Sequence, residues 1–80
     1  MPYNLFMVDI TFEYNENSEI SSEVVRVETI PLAIKLLCHE FKWEGTVSAS
    51  FDFLGTLKTF NCLDEVYLFE EKFNSFIDSM

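Results

Sequence analysis

Glycine, histidine and basic residues are all scarce in this sequence of 80 residues. The two glycines, Gly45 and Gly55, stand apart, so the chain has no glycine-rich loop of the kind that binds phosphate groups. Its one histidine, His39, has no second histidine with which to share a metal ion, and no carboxylates stand at metal-ligand spacing. These absences predict a protein that is not an enzyme and that uses no cofactor and no metal.

Cysteine is also scarce, with only Cys38 and Cys62 in the whole chain. Both fall within apolar helical patterns, which indicates two buried thiols in a reducing compartment better than a disulfide framework. Neighbouring residues on a helix point about 100° apart, so Cys38 and His39 do not face each other as nucleophile and base. The pair therefore predicts no catalysis.

Positive charge is the most telling shortage, because five basic residues oppose fourteen acidic ones and leave a net charge of −9. Long-range repulsion opposes direct binding to nucleic acid or to an anionic membrane, and it favours a basic protein partner. No apolar run approaches the roughly 18 residues of a membrane span, and residues 1–4 lack the features of a signal peptide. We therefore expect a cytoplasmic protein.

Aromatic residues, by contrast, are abundant, with nine Phe, three Tyr and one Trp. A chain of this length supports one domain, residues 1–80, with a modest core. Apolar residues make up 49% of the chain, which is rich for so small a core. We therefore expect some aromatic side chains to remain at the surface or to contact a partner.

The chain also contains an internal repeat. Residues 8–14 (VDITFEY) and 47–53 (VSASFDF) have the same order of residue types: valine, a polar residue, a small or aliphatic residue, a hydroxyl residue, Phe, an acidic residue and an aromatic residue. An apolar helical pattern follows each copy after a second strand-like segment. We interpret the chain as a duplicated ββα unit, with copies at about 5–44 and 46–80.

Periodicity predicts an α+β fold with the order ββαββα. A period of two predicts strands over 5–14, 20–28, 46–53 and 57–60, and a period of three to four predicts helices over 30–43 and 62–79. We expect a four-stranded, mainly antiparallel sheet with both helices on one face. The crossover leaves open whether the third strand lies beside the first or the second.

Local signals predict the turns and the helix ends. The polar segment 15–19 predicts a long, mobile turn, whereas Leu54 and Gly55 predict a tight hairpin. Thr29 and Asn61 are the expected N-caps, with Asp64 reaching back toward Asn61, and Gly45 is the expected left-handed stop of the first helix. Val47 should point inward, and the expected core contains Phe12, Leu37, Phe51, Phe69 and Phe73.

Two surface features remain as candidate partner-binding sites. One is acidic: Asp64, Glu71 and Asp78 recur every seven residues on the second helix. Glu65 and Glu70 flank that row, and Glu40 and Glu44 add charge at the end of the first helix. The other is apolar: Leu32, Leu36 and Trp43 form a second stripe on the first helix, and Leu63, Tyr67 and Leu68 form a similar one on the second. Packing between the two helices would cover most of this surface; if the helices lie apart, Leu36 and Trp43 form an exposed patch.

An acidic helix face is often no more than a solvated one. The alternative is that its carboxylates imitate the phosphates of a duplex and occupy the basic channel of a nucleic-acid enzyme. The size, acidity and element order resemble those of small inhibitors that phages and other mobile elements direct against host enzymes, such as anti-restriction and anti-CRISPR proteins, and no motif carries the resemblance. The competing hypothesis is a homodimeric adaptor, or an immunity or antitoxin-like partner of a basic toxin.

Overall fold

The computed structural model describes residues 7–43 and 45–79, and their element order is ββαββα, as the periodicity predicted. The elements are β1 (Val8–Glu16), β2 (Glu19–Val27), α1 (Ile30–Phe41), β3 (Thr46–Phe53), β4 (Thr56–Phe60) and α2 (Leu63–Asp78). The fold is therefore of the α+β class. Residues 5 and 6 of the predicted first strand, Glu44 and Met80 lie outside the described residues.

The four strands form one antiparallel sheet in the order β2-β1-β3-β4. The third strand therefore lies beside the first, which answers the question that the crossover left open. Each hairpin contributes one central strand and one edge strand, so β2 and β4 each pair on one side only.

Both hairpin turns contain two residues. Asn17 and Ser18 have φ of 54° and 68°, and Leu54 and Gly55 have φ of 52° and 82°. Positive φ at both positions gives a turn whose twist matches that of the flanking strands. The prediction of a long, mobile turn over 15–19 is thus wrong, because β1 continues to Glu16 and β2 begins at Glu19.

The core lies between one face of the sheet and the two helices. Three side chains of the expected core, Phe12, Leu37 and Phe51, are confirmed as buried, with at most 1% exposed. The buried set is Val8, Ile10, Phe12, Ile30, Ala33, Ile34, Leu37, Ala49, Phe51, Phe60 and Val66. Cross-strand pairing places Phe12 opposite Ala49 and Ala49 opposite Phe60, so these side chains share one face.

Phe69 and Phe73 pack against this core but are only partly buried, which corrects the prediction. The 16 residues of α2 span about 24 Å, whereas the five residues of its neighbour β4 span about 17 Å. The apolar stripe of α2 is therefore longer than the edge strand beneath it. As a result Phe76 and Ile77, near the end of the helix, are 45% and 43% exposed.

A β-bulge overturns the expected burial of Val47. Glu13 pairs with Ser48 and Tyr14 with Thr46, which leaves Val47 without a partner on β1. The extra residue turns the valine outward, where it is 41% exposed, and Thr46 takes the inward position. The Thr46 hydroxyl donates a hydrogen bond of 2.9 Å to the carbonyl oxygen of Glu40, which ties the start of β3 to the end of α1.

The first helix begins as predicted and ends differently. The Thr29 hydroxyl accepts a hydrogen bond of 3.3 Å from the amide of Leu32, which confirms the N-cap. The helix ends with Lys42 as its C-cap, in the right-handed region at φ −79° and three residues before Gly45, so Gly45 is not its left-handed stop. A Cβ at Gly45 would instead lie 2.6 Å from the Trp43 ring, which shows that glycine makes room for the indole.

The second helix begins one residue later than predicted. Cys62 is the N-cap, without a side-chain capping bond, and Asn61 lies before it. The carboxylate of Glu65 accepts a hydrogen bond of 2.7 Å from the Asn61 amide, so Glu65 takes the role predicted for Asp64. This placement exposes the thiol of Cys62, while Cys38 is half-buried. The prediction of two buried thiols is therefore wrong for Cys62.

Candidate partner-binding surfaces

The predicted acidic row lies along the outer side of α2. Asp64, Glu71 and Asp78 are all exposed, and the seven-residue spacing places them on one side of the helix. Within the described residues none of the three carboxylates accepts a side-chain hydrogen bond or pairs with a base. The only basic residue of α2 is Lys72.

The two carboxylates that were expected to flank this row have different surroundings. Glu65 is exposed, but its carboxylate is bound to the backbone at the start of the helix. Glu70 is half-buried and lies near the Cys38 thiol of the neighbouring helix. Burial, together with the negative charge of Glu70, raises the pKa of Cys38, and a thiol that resists ionisation is a poor nucleophile.

Among the described residues, two carboxylates on the open sheet face accept hydrogen bonds from other side chains, unlike those of the α2 row. Asp9 accepts two hydrogen bonds from Arg26, at 2.7 and 3.1 Å, and the guanidinium holds the pKa of Asp9 below its ordinary value. Glu13 accepts a hydrogen bond of 3.1 Å from the Ser48 hydroxyl. These charges are partly satisfied within the protein, whereas those of the row face solvent.

The predicted residues of the first helix do not form one surface. Leu36 is half-buried and packs against the core, which removes it from the exposed apolar site. Trp43 is 48% exposed and lies just beyond the helix, near the half-buried Glu40. The structure therefore separates the predicted site into the α2 row and a second group around Trp43. Glu44 falls outside the described residues.

The group around Trp43 borders a cleft of about 560 Å³ between the end of α1 and the β1–β2 hairpin. Tyr14 connects its two sides: its hydroxyl donates to Glu40 Oε1 at 3.3 Å, and its ring meets the Trp43 indole edge-on at a centroid distance of 5.7 Å. The lining residues are Tyr14, Glu16, Ser21, Ser22, Glu23, Glu40 and Trp43. We call this site the Trp43 cleft.

The electrostatic field of the Trp43 cleft is negative. The pKa of Tyr14 is raised to about 12, chiefly by burial and then by the negative charges of Glu40 and Glu23. Negative charge nearby disfavours the tyrosinate, so the phenol stays protonated and remains a hydrogen-bond donor at neutral pH. None of the described residues that line the cleft is basic.

Sequence reasoning missed Tyr14, Glu16 and Glu23 as members of this site. The pairing of β1 with β2 brings Glu23 opposite Phe12, on the helix-covered face, beyond the part of that face that α1 covers. Residues 14, 16, 23, 40 and 43 show no periodic relation, so no signal in the sequence groups them. The hairpin register and the end of α1 bring them together.

Much apolar surface stays exposed after the helices pack together. Leu63, like Leu36, is half-buried, but Leu32, Tyr67 and Leu68 remain 45%, 47% and 53% exposed. The open face of the sheet adds Ile20, Val24 and Leu57, each at least 60% exposed. Packing between α1 and α2 thus covers less of the apolar stripes than the helix-packing alternative predicted.

Comparisons found no protein-family model, no curated protein and no solved structure that matches this chain. Among the described residues no group of three or more His, Cys, Asp or Glu side chains is arranged to hold a metal ion. Over the same residues, neither helix is both long enough and apolar enough to cross a membrane. The α2 row and the Trp43 cleft are therefore the two candidate functional surfaces.

Proposed function

We propose that this protein is a small, non-enzymatic inhibitor that binds a basic protein, a nucleic-acid enzyme, through the outward carboxylates of α2. The observation that carries the proposal is the α2 row, in which Asp64, Glu71 and Asp78 are exposed and unpaired among the described residues. A surface of this kind attracts the basic channel that such an enzyme uses for its nucleic acid. The protein acts in the cytoplasm, that of the host if a phage or mobile element encodes it.

The spacing of the carboxylates in the α2 row determines how this helix can imitate a nucleic acid. Seven residues of helix rise about 10 Å along its axis, whereas each DNA strand carries one phosphate for about every 3.4 Å of duplex axis. The row is therefore too sparse to copy phosphate positions one by one. It acts through the summed negative field of the chain, whose net charge is −9.

Binding through a summed field is sensitive to salt. Attraction between exposed charges is largely screened beyond a length of about 8 Å at physiological ionic strength. Association with the partner is therefore expected to be fast at low salt and to slow markedly as the salt concentration rises.

We also infer that the two ββα halves derive from one duplicated unit. Thr11 and Ser50 are equivalent positions of the repeat, and they pair with each other across β1 and β3. Antiparallel pairing of equivalent residues is what a two-fold arrangement of two copies would produce, and the equivalent residues Phe12 and Phe51 are both buried. The bulge at Val47 breaks this symmetry in one copy only.

The experiment is a capture from bacterial lysate at low and high salt, with identification of every retained protein. The wild-type chain is expected to retain a basic nucleic-acid enzyme, to release it partly as salt rises, and to compete with duplex DNA or with RNA. A variant with Asp64→Asn, Glu71→Gln and Asp78→Asn keeps the apolar stripe and should bind the enzyme more slowly, because association depends on the summed field.

The matched control removes the same number of charges elsewhere, with Glu13→Gln, Glu28→Gln and Asp52→Asn. Asp9 is left intact because it pairs with Arg26, and glutamine at position 13 keeps an acceptor for Ser48. The control variant should retain the partner at nearly the wild-type rate. If it loses binding while the α2 variant keeps it, the inhibitory surface is the sheet and the proposal is wrong.

The exposed apolar residues of the sheet face, Ile20, Val24 and Leu57, favour a second candidate, a homodimeric adaptor. An immunity or antitoxin-like protein that binds a basic toxin differs from the first proposal only in the identity of the partner. A chain that recovers only itself from lysate, and elutes at twice the monomer mass at every salt concentration, would establish the dimer instead.

A further inference from the structure

The Trp43 cleft presents two kinds of group that bind cations. Glu16, Glu23 and Glu40 contribute three carboxylates, and none of the described lining residues supplies a compensating positive charge. The aromatic component is the Trp43 ring, which is 48% exposed and therefore available to a ligand. Carboxylates beside an exposed indole attract a positively charged, partly apolar group more strongly than either feature does alone.

The ring is also held in place. Tyr14 meets the indole edge-on at 5.7 Å, and the absence of a side chain at Gly45 lets the ring lie close to the backbone. Tyr14 is itself anchored by its hydrogen bond to Glu40. A ring fixed on two sides loses little conformational freedom when a ligand binds to it, so the site is organised before binding.

We propose that the Trp43 cleft binds the guanidinium group of an arginine that a protein partner presents. A planar guanidinium stacks on an indole and directs five N–H donors to several carboxylates at once, whereas a lysine ammonium is a compact point charge. Ser21 and Ser22 offer further acceptors at the hairpin side. This inference rests on the proposed function only for the expectation that the partner is basic.

The Trp43 cleft lies at an edge of the fold, where a side chain of another protein can reach it. One wall belongs to β2, which is an edge strand and pairs only with β1. A volume of about 560 Å³ falls within the usual range of ligand sites, roughly 300 to 1,000 Å³, so an arginine and part of its own backbone fit. The cleft therefore adds a specific contact to the less specific attraction of the α2 row.

The test uses a defined peptide and does not require the natural partner. Acetyl-glycyl-arginyl-glycinamide is titrated into the wild-type chain at physiological ionic strength, and the fluorescence and the indole N–H resonance of Trp43, the only tryptophan, report binding. We expect saturable binding, about threefold or more weaker for the lysine peptide. The citrulline peptide, a neutral analogue of similar shape, should not saturate.

Two variants with equal charge removal locate the site. Glu23→Gln with Glu40→Gln should weaken binding of the arginine peptide about tenfold, while glutamine at position 40 keeps an acceptor for Tyr14. Asp64→Asn with Glu71→Gln removes two charges from α2 and should change the affinity less than about twofold, because exposed distant charges are screened. Circular dichroism of both variants checks that the fold is retained.

Three results would overturn the inference: no saturable binding of the arginine peptide, equal binding of the citrulline peptide, or equal weakening by the two double variants. The last would show attraction by net charge without a specific site. These outcomes are separable from those of the lysate capture. A cleft that binds arginine in a chain that captures no nucleic-acid enzyme would leave the inference standing and remove the proposed function.

Discussion

At the scale of single residues, the two glycines have different structural roles. At Gly45, a Cβ would lie 2.6 Å from the Trp43 ring. Gly55 has φ +82°, and a Cβ there would meet no atom of the described residues within 4 Å. Glycine at position 45 therefore leaves room for a neighbouring side chain, whereas glycine at position 55 allows the backbone conformation of a turn.

Alanine should therefore change the surroundings of Trp43 at one glycine and the free energy of unfolding at the other. Gly45→Ala should displace the indole toward its solvent-exposed side, because the new Cβ would overlap the ring, and should change the Trp43 emission spectrum while the free energy of unfolding changes by less than about 1 kcal/mol. Gly55→Ala should lower the free energy of unfolding by about 1–2 kcal/mol, because it forces an alanine into the left-handed region. Its Trp43 emission should stay unchanged. Fluorescence spectra and urea unfolding of both variants measure these effects, and an unchanged spectrum in Gly45→Ala would contradict the close contact.

At the scale of elements, the two helices begin with different caps. The N-cap of α1 is Thr29, whose hydroxyl binds the amide of Leu32. The N-cap of α2 is Cys62, which has an extended backbone but makes no side-chain capping bond. Glu65 binds the amide of Asn61, the residue before the N-cap, so it anchors the chain at the start of α2 without forming a capping box. A hydroxyl at position 62 would add the missing side-chain capping bond.

The variant Cys62→Ser should stabilise the protein by about 0.5–1 kcal/mol, because the serine hydroxyl can accept a hydrogen bond from a free amide in the first turn. The thiol is exposed, so its replacement removes little packing. Urea unfolding at neutral pH under reducing conditions measures the gain. The control is Cys62→Ala, which removes the thiol and adds no acceptor. Equal stability of the serine and alanine variants would show that the cap is not completed.

At the scale of the whole molecule, one small core holds the two hairpins and the two helices together. The sheet contributes Phe12 and Phe51 from its two central strands, and the helices contribute Leu37 and Val66, all with at most 1% exposed. Among the described residues no polar or charged residue is buried. Stability therefore depends on apolar packing, and the acidic groups at the surface are free to serve recognition.

Truncation of two phenylalanines distinguishes the fully buried core from the partly exposed residues at its edge. Phe51→Ala should lower the free energy of unfolding by about 3–5 kcal/mol, a large part of the roughly 5–15 kcal/mol expected for a domain. Phe73→Ala should cost markedly less, about 1–2 kcal/mol, because the ring is partly exposed and packs on Phe53 and Phe69 at the edge of the core. Thermal and urea unfolding measure both losses. Equal losses would show that Phe73 belongs to the core.

Local patterns in the sequence were sufficient for the element order, the class of fold and most of the core. Period-two alternation places Ile10, Phe12, Ala49 and Phe51 on the buried face, since each strand has one covered side. The acidic row of α2 was also predictable, because residues seven apart lie on one side of any helix. These features depend only on neighbours along the chain.

Long-range pairing decided the remaining features. The pairing of β1 with β3 determines the strand order, and its register places the bulge at Val47. Neither feature can be inferred from neighbouring residues along the chain. Packing determines that Glu70 lies beside Cys38. The pairing of β1 with β2, together with the end of α1, assembles the Trp43 cleft from Tyr14, Glu23 and Glu40. Sequence periodicity assigns each residue to a face of its own element, whereas a site shared by three elements exists only after those elements have packed.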